Sequence, residues 1–126
     1  MMLIIGGAYQ GKAQYARALT GAGLEDCFIC EMDSIVLDSR KKVVLYLEKF
    51  VFACLMEGVN PEERVLSALP DLKDAVVVMT DISSGVVPME PIMRQWREAC
   101  GRIANRLAQE ARHVTRMFCS IAQVIK

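Results

Sequence analysis

A short apolar run, Met2-Leu3-Ile4-Ile5, gives way to the glycine-rich turn Gly6-Gly7-Ala8-Tyr9-Gln10-Gly11-Lys12-Ala13 and then to a helix-forming stretch ending at Leu19. Such a pattern predicts a buried strand, a tight loop and a helix in direct succession, which is the βα unit of parallel α/β folds. The spacing G-x-x-x-x-G-K is that of a phosphate-binding loop. Glycines let successive backbone N–H groups turn inward as an anion nest, where Cβ atoms would block close approach. Lys12 adds a point charge for β- and γ-phosphates, and the following helix offers its positive end. Ala13 departs from the pattern, because Ser or Thr there supplies the hydroxyl that ligates Mg²⁺. Gly6, Gly7, Ala8, Tyr9, Gln10, Gly11, Lys12 and Ala13 are the candidate nucleotide-binding residues, and Lys12 is also a candidate catalytic group. The same residues also suit a glycine-rich βα turn that binds nothing.

A second apolar run, Ala75-Val76-Val77-Val78-Met79-Thr80, is β-branched and does not alternate. It suits a central parallel strand covered on both faces. It ends in Asp81, and an acidic residue at the carboxyl end of such a strand can hold Mg²⁺ directly or through water. Asp81 is therefore the candidate metal ligand and second candidate catalytic residue. Buried strands also end in Asp at ordinary turns. In open α/β sheets ligands lie at the carboxyl ends of strands, where both Lys12 and Asp81 are expected.

Between these runs, Gly21-Ala22-Gly23 closes the first helix, Cys27 to Cys30 reads as a strand, and Arg40 to Glu57 reads as one long helix. Its face would be Val43, Leu47, Phe50, Val51 and Cys54, with Leu45, Phe52 and Leu55 elsewhere round it. Asn60-Pro61-Glu62-Glu63 opens another helix, with Asn as N-cap and Pro at the first position, running to about Leu69. A loop containing Gly85 and Pro88 leads to a helix from Pro91 to about Ala111. Its buried face is Ile92, Trp96, Ala99, Cys100, Ile103, Leu107 and Ala111, and charged pairs four residues apart line its outer face. Val114 to Cys119 and Val124 to Lys126 read as closing strands joined through 120–123. The sequence predicts one α/β domain over residues 1–126, a mostly parallel central sheet flanked by helices with a C-terminal β-hairpin.

The 15 basic and 15 acidic side chains balance, which argues against a nucleic-acid surface. Apolar content of 53% suits a subunit interface, so a homo-oligomer is expected. No apolar stretch approaches the roughly 20 residues of a membrane span, and the N-terminal run lacks the basic flank of a signal peptide. A cytoplasmic protein without membrane contact is expected. The five cysteines, 27, 30, 54, 100 and 119, are read as reduced thiols. Cys27 and Cys30, three apart on a strand, point to opposite faces and do not make a metal or redox pair.

Four segments, in order, resemble the adenosylcobinamide kinase/adenosylcobinamide-phosphate guanylyltransferase family of cobalamin biosynthesis. They are Leu3 to Ala13; Val76 to Asp81 with Gly85-Val86-Val87-Pro88; Trp96 to Ile103 continuing through Leu107-Ala108; and the tail from Val114 to Lys126. The resemblance implies a P-loop, RecA-like domain that assembles into oligomers. It implies GTP or ATP as cofactor, Mg²⁺ with it, and a cobinamide-type substrate. The family phosphorylates adenosylcobinamide and then transfers GMP through a guanylylated histidine. Carried over, Gly6, Gly7, Ala8, Gly11 and Lys12 form the phosphate cradle, Asp81 stands for the acidic end of its segment, and Arg97, Gly101 and Arg102 match the long helix. The chain is shorter than the family pattern between its first helix and the Val76 strand, where the guanylylated histidine lies. His113 is read as a surface residue at a helix end. Ala104 replaces the helix's usual Asn. The expectation is a nucleotide- or phosphate-binding protein with degenerate catalytic motifs, compatible with residual kinase activity and not with guanylyl transfer. The alternatives are a non-catalytic regulatory or oligomeric nucleotide-binding subunit, or a packing domain without ligand.

Overall fold

The computed structural model describes residues 1–83 and 87–126; the expectations for Gly85 and Val86 lie outside the described residues. Strand β1 (Met2–Gly6) is followed by helix α1 (Lys12–Thr20), a single 3₁₀ turn and strand β2 (Cys27–Ile29). Then come β3 (Val43–Leu45), α2 (Leu47–Met56), α3 (Pro61–Ala68), β4 (Val76–Thr80), α4 (Pro91–Glu110), β5 (His113–Phe118) and β6 (Ile121–Val124). The strands form one sheet in the order β2-β3-β4-β1-β5-β6. All neighbours run parallel except β6, which is antiparallel to β5. The expected α/β architecture, with its mostly parallel sheet and terminal hairpin, is what forms.

Period-two side-chain alternation divides the core between the two faces of the sheet. Leu3, Val44, Val77, Met79 and Val114 pack with the buried stripes of α2, α3 and α4. Ile4, Val43, Leu45, Val76, Val78 and Met117 pack toward α1 through Ala16. Both apolar runs are therefore covered on both sides, which is why neither alternates in polarity. Cys27 belongs to the α1 side and Cys30 to the other, so the two thiols diverge as strand geometry requires.

The long helix expected from Arg40 to Glu57 is corrected. Val43–Leu45 is a strand between β2 and β4, pairing Val43 and Val44 with Val76 and Val77. Tyr46 then adopts a left-handed conformation (φ 61°, ψ 51°) that starts α2. A short apolar run fits a helical stripe and a buried strand equally well on periodicity. Here β-branched Val43 and Val44, buried on both faces, complete the sheet instead.

The closing hairpin is also tighter than expected. Phe118 pairs with Ile121 across a two-residue turn, with Cys119 (φ 51°) and Ser120 (φ 61°) both left-handed. That is the backbone of a primed hairpin turn, which normally asks for Asn-Gly. Residues 121–123, read as turn, are thus in β6. Ile125 and Lys126 N–H both donate to Val114 O, at 2.8 and 3.2 Å, the two-against-one pattern of a bulge.

Two helix expectations hold closely. Asn60 Oδ1 accepts from Glu62 N–H (3.0 Å) and Glu63 N–H (3.3 Å), capping α3 behind Pro61. Helix α4 buries Ala99, Cys100, Ile103 and Leu107, with Ala111 buried just past its end. Trp96 meets Phe52 edge-on at 5.2 Å. On its outer face Arg106 pairs with Glu110 (3.4 Å) and Arg102 with Glu62 of α3 (2.5 Å).

Candidate functional site

The loop between β1 and α1 sits at the carboxyl end of the two central strands. Gly6 is pinned there: a Cβ would lie 2.5 Å from Met117 O, while Gly6 O accepts from Asp81 N–H at 2.8 Å. Gly11 caps α1 in a left-handed conformation (φ 83°), and a Cβ on it would meet Ser120 Oγ at 2.8 Å. Those two glycines are required by close approach and backbone sign. At Gly7 a Cβ would find only ordinary contacts. Tyr9, also left-handed at φ 59°, stands fully in solvent.

The β5–β6 turn buttresses the loop. Ser120 N–H donates to Gln10 O (3.2 Å), and Cys119 N–H donates to the Gln10 side-chain oxygen. These two bonds hold an otherwise unfavourable Cys-Ser turn and fix the loop's far wall. Gln10, expected among the nucleotide-binding residues of the loop, makes this clasp.

Lys12 is the first residue of α1 and is only 4% exposed. Its Nζ donates back to Gly7 O, bridging the loop. The first N–H that the helix itself engages at this end is that of Tyr15, on Gly11 O (3.1 Å). The preceding amides of Lys12, Ala13 and Gln14 thus point out of the helix end. Together they face a cleft of about 590 Å³ lined by Ala8 to Gln14, by Tyr46, Glu48 and Lys49 at the β3–α2 corner, and by Thr80 and Ser120. Its size is that of an ordinary small-molecule site.

Glu48, which sequence reading missed, is likewise 4% exposed. Its Oε1 accepts from Thr80 N–H at 2.8 Å, and its backbone carbonyl accepts from Trp96 Nε1 at 2.7 Å. Burial pushes the Glu48 carboxyl above its usual range, against the opposing pull of its own backbone, of Thr80's N–H and hydroxyl, and of Lys12. Burial also pushes the Lys12 ammonium below its usual range, with Glu48 pulling the other way. The Cys30 and Cys100 thiols are pushed up to about 12 by burial and then by the Glu48 charge, so neither supplies a thiolate near neutral pH. A signal for Glu48 existed: it falls at helical spacing inside the second apolar stripe, Leu45, Phe52 and Leu55.

Asp81 lies one residue past β4, exposed, and its Oδ1 accepts from Ser83 N–H (2.9 Å) and Ser83 Oγ–H (2.5 Å). It lines a neighbouring cavity of about 200 Å³ with Arg97, Gly101 and Ala104. Thr80 borders both spaces. Arg102 turns away to α3. For a metal, the loop itself is poorly equipped: Ala13 has no side-chain oxygen, and no group of three or more His, Cys, Asp or Glu is gathered among the described residues. His113 is exposed and pairs with Met2 at the opposite, amino end of β1. Four strand residues, roughly 13 Å at about 3.3 Å per residue, separate it from Gly6.

Residues 24–125 match the profile of the family described as cobinamide kinase / cobinamide phosphate guanyltransferase. The chain belongs to that family. Membership gives a nucleotide-binding function of the cobinamide kinase/guanyltransferase type, within cobalamin biosynthesis. The match takes in β2 through β6, including Glu48 and Asp81, and leaves the Gly6–Ala13 loop to be judged by its own spacing and geometry. No curated protein matches the chain. Among the described residues no helix is long and apolar enough to cross a membrane.

Proposed function

We propose that the cleft binds a nucleoside triphosphate, GTP or ATP, through the Gly6–Ala13 loop, and that the chemistry it serves is kinase-type phosphoryl transfer to a cobinamide-class alcohol. The observation that carries this is Lys12: a nearly buried side chain at a helix N-terminus, its Nζ donating to a loop carbonyl beside an open cleft. A buried cation costs stability unless a partner of opposite charge compensates it. Glu48 offsets part of that cost, and a triphosphate would supply further opposite charge, with the amides of Lys12, Ala13 and Gln14 as further donors. Tyr9, exposed at the loop's apex, would stand beside the bound phosphates. Any Mg²⁺ would arrive on the phosphates and keep waters. Asp81 would reach it through water, since its Oδ1 already serves Ser83.

Guanylyl transfer through a histidine does not suit this chain, because its one histidine is at the wrong end of the sheet. The site lies within a single 1–126 domain in this reading, and the protein works as a homo-oligomer away from membranes and nucleic acid.

Melting curves with GTP and with ATP, each with and without Mg²⁺, test the binding. A ligand held only by the folded state raises the transition by mass action. If neither triphosphate raises it at millimolar concentration, the chain is a packing domain. If one does, incubation with cobinamide and γ-labelled triphosphate separates a kinase from a non-catalytic subunit, which would leave the label on the nucleotide.

A further inference from the structure

We infer that Glu48 is the proton acceptor for phosphoryl transfer in this cleft. The hydroxyl oxygen of the acceptor alcohol forms its bond to the γ-phosphorus as its proton passes to the Glu48 carboxylate. The bond from the γ-phosphorus to the bridging oxygen breaks, and its electron pair leaves with the nucleoside diphosphate. The assignment rests on the cleft being the triphosphate site.

Among the described residues Glu48 is the one buried carboxylate, and it lines the same cleft as Lys12. Lys12 pulls on its charge, but each of the two side chains spends its hydrogen bond elsewhere. Lys12 Nζ is engaged by Gly7 O, and Glu48 Oε1 is engaged by Thr80 N–H. Its position is nevertheless fixed from three sides: the start of α2, the end of β4 and the indole of Trp96 on α4. A costly group held rigidly at a cleft wall is the arrangement that preorganised catalytic groups require. Its raised pKa moves the carboxylate toward the range where a general base is effective. Asp81 is exposed instead. The charged and titratable groups facing Glu48 are Lys12 from α1, Lys49 from α2, Cys30 after β2 and Cys100 on α4. The two thiols, at about 12, do not titrate in the working range.

The test uses the full chain with cobinamide and saturating GTP or ATP in single-turnover transfer, comparing wild type with Glu48→Gln and Glu48→Asp. Glu48→Gln should slow transfer by roughly 100-fold or more while nucleotide affinity is unchanged, and Glu48→Asp should recover part of the rate. The acidic limb of the wild-type pH–rate profile should vanish in Glu48→Gln. A Glu48→Gln protein that keeps the rate and the limb overturns the proposal. So does one that loses nucleotide affinity in step with rate, since Glu48 would then serve binding or structure. Wild type that binds nucleotide through Lys12 but transfers no phosphate also overturns it, leaving the binding site intact. Failure of nucleotide to bind removes the cleft assignment itself. If Glu48→Gln does not fold, Glu48→Asp decides: a displaced acidic limb supports the role, and an unmoved one overturns it.

Discussion

Two carboxylates stand near the carboxyl ends of neighbouring strands, and their surroundings differ sharply. Glu48, behind β3, is nearly inaccessible and shares a cleft with the buried Lys12. Asp81, behind β4, is exposed and closes a small turn on Ser83 beside a smaller cavity. Asp81's arrangement stabilises a local turn at little cost. Glu48's arrangement costs desolvation that the hydrogen bonds of Thr80 and its own backbone and the Lys12 charge only partly offset. Motif reading favours Asp81 because of its place after an apolar strand. Burial and geometry favour Glu48, because a protein keeps an expensive charge where a ligand uses it.

The largest effect should come from the cation of the deeper cleft. Lys12→Ala should weaken GTP or ATP binding by roughly 30- to 5,000-fold, the range for truncating one partner of a buried charge contact, measured by calorimetric titration. Retained affinity would place the phosphates elsewhere and remove the reason for contrasting the two sites. Next comes Gly6→Ala, which puts a methyl 2.5 Å from Met117 O. Overpacking of this kind should cost about 1–3 kcal/mol, read as a lower urea midpoint. Because Gly6 O also holds Asp81 N–H, the change should disturb both cavities.

The buried carboxylate should then show itself in the pH dependence of stability. The folded-state pKa of Glu48 is raised, so between its unfolded and folded values the native state holds more protons than the unfolded chain. Stability from this group therefore falls as pH rises through that window, and the penalty is fully present above the folded pKa. Glu48→Gln should be more stable than wild type at pH 8, with the difference shrinking as pH falls toward the unfolded carboxyl value of about 4.3. Urea midpoints across that range would show it, and a constant difference would mean the carboxylate is not penalised. The smallest effect is Asp81→Asn. The amide oxygen can still accept from Ser83, so stability should change by less than about 0.5 kcal/mol and triphosphate affinity without Mg²⁺ hardly at all. A large loss of affinity would reverse the ranking of the two sites.

Much of the scaffold was legible because local chemistry and tertiary packing agree. Asn60-Pro61 specifies a helix start by itself, and Val76–Met79 is apolar on both faces wherever it is placed. The Gly6-to-Lys12 spacing likewise predicted its strand, loop and helix. Val43–Leu45 was not legible, since three apolar residues fit either period and only the partners β2 and β4 decide. The Cys119-Ser120 turn was hidden for a similar reason: its conformation is maintained by Gln10, more than a hundred residues earlier in the chain. Glu48 was obscured by the same misread segment. A charge inside an apolar stripe is a visible signal, but its meaning depends on where Tyr46 ends the strand and redirects the chain.

A crystal structure with a non-hydrolysable GTP analogue tests most directly whether the Gly6–Ala13 loop captures a triphosphate. The β- and γ-phosphates should lie against the amides of Lys12, Ala13 and Gln14, with Lys12 Nζ moved from Gly7 O onto phosphate oxygen and Glu48 facing the space beyond the γ-phosphate. A nucleotide bound elsewhere, with Lys12 still on Gly7 O and the loop empty, would contradict the account.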